Sequence, residues 1–281
     1  MRVNVRCPAC GKTGGIEIPK DAITENSRGI SVIIIPEKTI CADSFIAYID
    51  NNLIVRDTIL TDFQVELPEL IIEKRVEGDI SYSEDSFDLD LIKLNLTPTL
   101  LSYILRGFFF KKKIVLISDK HYLNNHISNF FKYITQNSFE TDLTIRKRED
   151  YNRDKKNYKK YLVFEGKEII TDKAKIIDTK ITPIERKIIQ QFFAEYEKEI
   201  SLMILKNEIQ KAFQLSKFIS EFIIKSEEKK RIDITEITDN LQKVYKTKVT
   251  SIYLDFLLGI VEHYFDVAVP SSQKLVLKLA H

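Results

Sequence analysis

An α+β chain is predicted, with a β-rich module in front, a small α/β layer in the middle and a helical region behind. Three observations predict it. Short β-branched and aromatic runs follow a tight Cys-Pro-Ala-Cys-Gly turn within residues 1–65. A helix, a buried strand and a second helix follow one another directly from Thr97 to Ile134. From Thr182 onward the apolar residues recur at helical spacing. The predicted divisions are 1–65 for the module, 66–97 for an acidic linker, 98–181 for the α/β core and 182–281 for the helical domain.

Composition narrows the classes of function. The chain has 281 residues, 44% hydrophobic and 30% charged, enough for a large core in two or three domains. A net charge of +2 gives no global pull toward nucleic acid or anionic membrane. Met1 to Arg6 lacks the apolar core of a signal peptide. No apolar run approaches the roughly 20 residues of a membrane span. Three cysteines do not make a secreted disulfide scaffold, so a reducing cytoplasm is expected.

In the module, Cys7-Pro8-Ala9-Cys10-Gly11 reads as a metal knuckle, where glycine lets the backbone fold back. Ile30 to Ile35 is a strand closed by Pro36. Phe45 to Ile49 and Leu53 to Arg56 form a hairpin around Asp50-Asn51-Asn52. Cys41 stands at the edge of a second turn. Thiolates are soft ligands, and zinc takes four donors in a tetrahedron. A second CxxC would need cysteine at position 44, which is Ser44, so Asp43 is the expected fourth ligand beside Cys7, Cys10 and Cys41. The expected cofactor is one structural zinc; the alternative is a degenerate knuckle that folds on its hairpins alone.

These residues also carry a resemblance. Cys7-Pro8-x-Cys10-Gly11, Cys41-x-Asp43-Ser44-Phe45, and Asp50 with Val55-Arg56 resemble a zinc-ribbon module at the front of uncharacterised archaeal proteins, Asgard-type ones especially. That pattern has histidine where this chain has Asp43. The resemblance implies a zinc-ribbon-like module and no particular activity.

From Glu66 to Asp90 the chain carries nine acidic residues against Lys74 and Arg75. Ile71 and Ile72 could start a helix, and Gly78 to Ser86 reads as linker. Thr97 and Pro98 then start a helix as N-cap and first residue. Leu100, Leu101, Ile104, Leu105 and Phe108 form its stripe. Ile114 to Ile117 is a strand buried on both faces. Tyr122, Leu123, Ile127, Phe130, Phe131 and Ile134 form the next helical face. Asp142 to Ile145 and Tyr161 to Phe164 are two further strands.

Catalytic signals are sparse here. The strand-to-helix loop Ser118-Asp119-Lys120-His121 has no glycine, which argues against a phosphate-binding loop. Asp119 stands where α/β enzymes keep a nucleophile or ligand, but it is also placed to cap the following helix. His121 and His126 are five apart and do not share a helical face. Leu100 to Phe110 followed by Lys112 to Ser118 is similar to the helix-then-strand segment of DENN domains. Those domains act on small GTPases, which implies a small GTPase as partner and transfers no residue role.

Arg146 to Lys160 has eight basic residues against three acidic, with Tyr151 and Tyr158 interleaved. Charge with aromatics suits nucleic acid. With the whole chain nearly balanced, a solvated loop facing the acidic stretch is the reading favoured. In the helical region, Thr182-Pro183-Ile184-Glu185 is a capping box. Ile188 to Ile204 extend one stripe, and Ile209 to Ile223 continue it in a second helix or past a bend. Phe213, Phe218 and Phe222 exceed what one face needs and offer a binding surface for a partner or a second copy. Helices near 234–245 and 251–265 mimic a helix-turn-helix, but the second is apolar nearly all round and wants burial. The expected role is a non-catalytic cytoplasmic adaptor or regulator, with a small GTPase as first partner. A nucleic-acid-binding ribbon protein comes second, and an enzyme with its site near Asp119 third.

Overall fold

The computed structural model describes residues 1–19, 29–61, 65–70, 83–178, 182–226 and 234–269. The chain opens with an antiparallel pair, β1 (Arg2–Arg6) and β2 (Thr13–Glu17). An antiparallel sheet follows, β3 (Ile30–Ile35), β4 (Phe45–Asp50) and β5 (Val55–Leu60), with β4 central. Strict alternation divides β4 between two cores. Phe45, Ala47 and Ile49 pack with Val3, Val5, Cys7, Ile16, Ile18, Ile35 and Ile40. Ile46 and Tyr48 turn the other way and join the main core. A two-faced central strand therefore ties the front module into the body. The Tyr48 ring meets Phe193 edge-on at 5.3 Å.

Two helices come next, α1 (Leu89–Asn95) and α2 (Pro98–Phe109). The first lies within the stretch expected to be linker. Its carboxylates act locally: Asp88 caps it, accepting from the amides of Asp90 and Leu91. Leu89 and Ile92 are buried, so burial overrides the acidic composition. Gly78 to Tyr82 and the pair Ile71–Ile72 lie outside the described residues; Glu84–Ser86 form a 3₁₀ turn. Helix α2 starts as its sequence predicts, with Thr97 Oγ1 accepting from the Leu100 amide. Asp57 of β5 adds a second cap, its carboxylate accepting from the Thr99 amide at 2.8 Å.

The central layer is β6 (Ile114–Ile117), α3 (Asn124–Ile134), β7 (Leu143–Arg146), α4 (Arg148–Asp154), β8 (Leu162–Glu165) and β9 (Glu168–Thr171). Sheet order is β7-β6-β8-β9, with β6 parallel to both neighbours and β9 antiparallel to β8. The chain steps from β6 to one side, then crosses back to the other. Right-handed crossovers in opposite directions put their helices on opposite faces. The cores agree: Ile114, Leu116 and Phe164 join α2 and α3, whereas Val115, Ile117 and Val163 join Tyr151 and Tyr158 of the α4 side. Gly107 makes the first packing possible, because a Cβ there would meet Ile114 Cδ1 at 2.6 Å.

The helical region is α5 (Pro183–Ala194), α6 (Lys198–Ser226), α7 (Ile234–Tyr245) and α8 (Ser251–His263). The break falls at 195–197, inside the Ile188-to-Ile204 stripe that the sequence pattern assigned to one helix. It resets the helical phase, leaving Tyr196 and Met203 exposed. The expected capping box is not formed: Thr182 gives no side-chain cap. Glu185 instead reaches across to Arg106 at 2.9 Å, and both are buried. Helix α8 is buried along Tyr253, Leu254, Phe256, Leu257, Leu258, Ile260 and Val261, as an all-round apolar helix requires.

Candidate metal centre

The front module brings Cys7, Cys10, Cys41 and Asp43 together, their donor atoms all within 4.8 Å of one another. They stand on two turns. In the first, the Gly11 amide donates to Cys7 O at 3.0 Å and Gly11 takes φ +73°. That left-handed conformation costs glycine nothing. The Ala9 amide points at Cys7 Sγ at 3.4 Å. The second turn links β3 to β4: Thr39 N donates to Pro36 O at 3.3 Å and Lys38 N to Cys41 O at 2.7 Å. Ser44 holds no place in the cluster. Its hydroxyl donates to Ile35 O at 3.2 Å, closing the loop beneath the donors.

Burial grades across the site. Cys7 lies in the module core, Cys41 and Asp43 are half-buried, and Cys10 faces solvent. One carboxylate oxygen is the point of convergence: Cys7 Sγ lies 3.5 Å and Cys41 Sγ 3.6 Å from Asp43 Oδ2. The backbone of Lys12 holds the Cys10 thiol below its ordinary range, against burial and the Asp43 charge. The Asp43 backbone acts on Cys41 in the same direction. Burial, the two neighbouring thiols and the Asp43 side chain outweigh it, and Cys41 is pushed up to about 12.

Such a set can hold a metal ion. Three sulfurs and a carboxylate oxygen match the coordination number and softness of a structural site, and a tetrahedral zinc–thiolate centre separates its sulfurs by about 3.8 Å. An ion would replace the shared protons and cross-link the two turns. All three cysteines are free of disulfides.

The other candidate residues lie elsewhere. Phe213 packs edge-on against Phe139 at 5.2 Å and touches Tyr264 and Phe265. Phe218 meets Tyr245 at 5.5 Å, and Phe222 is half-buried on the main core. The three rings thus spend much of their surface inside the chain. Asp119 does cap a helix, but not the one that follows it. A 3₁₀ turn (His121–Leu123) intervenes, leaving Tyr122 exposed, and Asp119 Oδ1 accepts from Arg148 N at 3.3 Å at the start of α4. His126 Nδ1 accepts from the Asp88 amide at 3.0 Å, pinning the segment before α1 to α3. Tyr151 and Tyr158 are buried and stacked on each other at 5.9 Å, which withdraws them from base stacking.

Sequence reasoning missed Ile34, which is 61% exposed on β3, one of the two outer strands of its sheet among the described residues. An all-apolar run reads as buried, and only the pairing order reveals which face is left open. No protein family, curated protein or solved structure matches this chain. Among the described residues, no helix is long and apolar enough to cross a membrane.

Proposed function

We propose that the chain is a non-catalytic adaptor or regulator whose front module, stapled by one zinc ion, presents a contact surface to another protein. The observation that supports this reading is continuity between the donor loop and an apolar edge. The loop carrying Cys41 and Asp43 runs directly out of β3, whose sequence Ile-Ser-Val-Ile-Ile-Ile ends beside Ser44. Edge strands of this composition are ordinarily blunted by charge or covered, because they pair readily with other chains. An extended partner segment adding along Val32–Ile35 of β3 would gain backbone hydrogen bonds and cover Ile34. A reducing cytoplasm is the setting in which three free thiols persist to take up metal. The similarity at residues 100–118 makes a small GTPase the first partner class to assay.

Ile34→Lys tests the reading. The substitution is expected to change stability by no more than about 0.5 kcal/mol, as for other exposed positions. It should abolish a capture from native lysate that the wild type makes and metal-stripped protein loses. Identical captures by all three proteins would contradict the proposal.

A further inference from the structure

We propose that the N-terminal edge of the central parallel sheet is a polybasic surface for anionic lipid membranes, built by Lys112, Lys113, Lys155, Lys156, Lys159 and Lys160. Two lysine runs far apart in sequence meet there because β6 and β8 are parallel neighbours. Ile114 lies opposite Leu162, and the Leu162 amide donates to Lys113 O at 2.9 Å. Lys113 Nζ consequently sits 5.8 Å from the centre of the Tyr161 ring. The second run is held by its tyrosines. Tyr151 and Tyr158 pack beneath it with Val115, Ile117 and Val163, and Arg146 Nε donates to the Tyr158 hydroxyl at 3.1 Å. Anchored on that side, Lys155, Lys156, Lys159 and Lys160 project into solvent, and all four are exposed. A 3₁₀ turn rises about 2 Å per residue, so the four span only about 10 Å.

Little offsets this charge. Lys113 pairs with Asp142 at 3.3 Å, and Asp154 is drawn to Arg153. Lys155, Lys156, Lys159 and Lys160 make no ion pair among the described residues. The acidic stretch of the chain does not answer them, since its described parts bond elsewhere. Glu84 bonds Tyr133, Asp90 pairs with Lys198, and the 65–70 segment receives Lys211 at Pro68 O. A chain of net charge +2 thus concentrates cations on one edge.

The chemistry favours a membrane over nucleic acid. Tyr151 and Tyr158 are stacked inward, and the half-buried Tyr161 lies beside Lys113, so among the described residues of the two runs no ring stands fully exposed for bases. The cations are lysines, point charges on long stems that adapt to laterally mobile headgroups, and four to eight such residues suffice for an anionic leaflet. The attraction is electrostatic, so salt should reverse it.

Sedimentation of the full chain with vesicles tests this, comparing phosphatidylcholine alone with phosphatidylcholine plus phosphatidylserine at low and high salt. Binding is expected only with phosphatidylserine and is lost at high salt. Each lysine near an anionic surface contributes about fivefold. Combined Lys155→Gln, Lys156→Gln, Lys159→Gln and Lys160→Gln should therefore reduce partitioning more than tenfold. Lys217→Gln, Lys225→Gln, Lys243→Gln and Lys248→Gln together remove the same charge elsewhere and should retain binding. Unaltered melting of both variants keeps the comparison one of charge. Equal binding to both vesicle types, or equal loss in both variants, would overturn the proposal. So would binding of a single-stranded RNA homopolymer, lost with the first variant, without binding to vesicles.

Discussion

Arg106→Met is expected to lower stability by about 3–5 kcal/mol, measured by urea unfolding, because it strands a buried charge. Glu185 is fully buried, its Oε1 is held at 2.9 Å by Arg106, and its Oε2 has no hydrogen-bond partner among the described residues. Burial raises the Glu185 carboxyl even with Arg106 and Arg186 pulling the other way. Removing Arg106 deepens that effect. A carboxyl whose folded pKa is raised costs stability as pH rises through it, so the deficit should be smaller in mildly acid than in alkaline buffer. Adding Glu185→Met should restore most of the loss, since a buried pair exchanged for apolar side chains is often neutral. If single and double variants unfold alike, the pair does not carry the charge balance assigned to it.

Leu116→Asp and Val115→Asp are each expected to prevent soluble expression or to cost at least about 3–5 kcal/mol, comparable to a domain's whole margin. The two side chains are neighbours on β6 but enter different cores, Leu116 among the α2 and α3 residues and Val115 beside Tyr151 and Tyr158. A strand covered on one face only would tolerate one of the changes. An unchanged melting temperature for either variant would show that its face is not covered as described.

How far the sequence could be read depended on whether a residue's partner was local. Thr97 and Pro98 bond within their own turn, and Ile114 to Ile117 form an uninterrupted apolar run, so both were legible. Glu185 and Asp119 are acidic residues beside helix starts, and local spacing assigns both to caps. Glu185 in fact answers Arg106, and Asp119 caps a helix on the far side of its sheet. Those partners become visible only once the packing of helix on helix and the sheet order are known. Helix α1 was hidden by composition, because Asp88 and Asp90 look like linker until Asp88 is seen capping it. The metal cluster was readable from the CxxC turn and Asp43. The open side of β3 was not, because periodicity in a run of isoleucines does not say which neighbour is missing. The lysine edge was readable only in halves, since parallel pairing brings residues 112–113 to residues 155–160.

Elemental analysis of protein purified without added metal tests the central claim, that Cys7, Cys10, Cys41 and Asp43 form a metal centre. The expected content is one zinc per chain, lost together with the metal-bound turns on chelation, and reduced by Asp43→Ala. Structural zinc sites bind tightly enough that less than about a tenth of an equivalent would contradict the account.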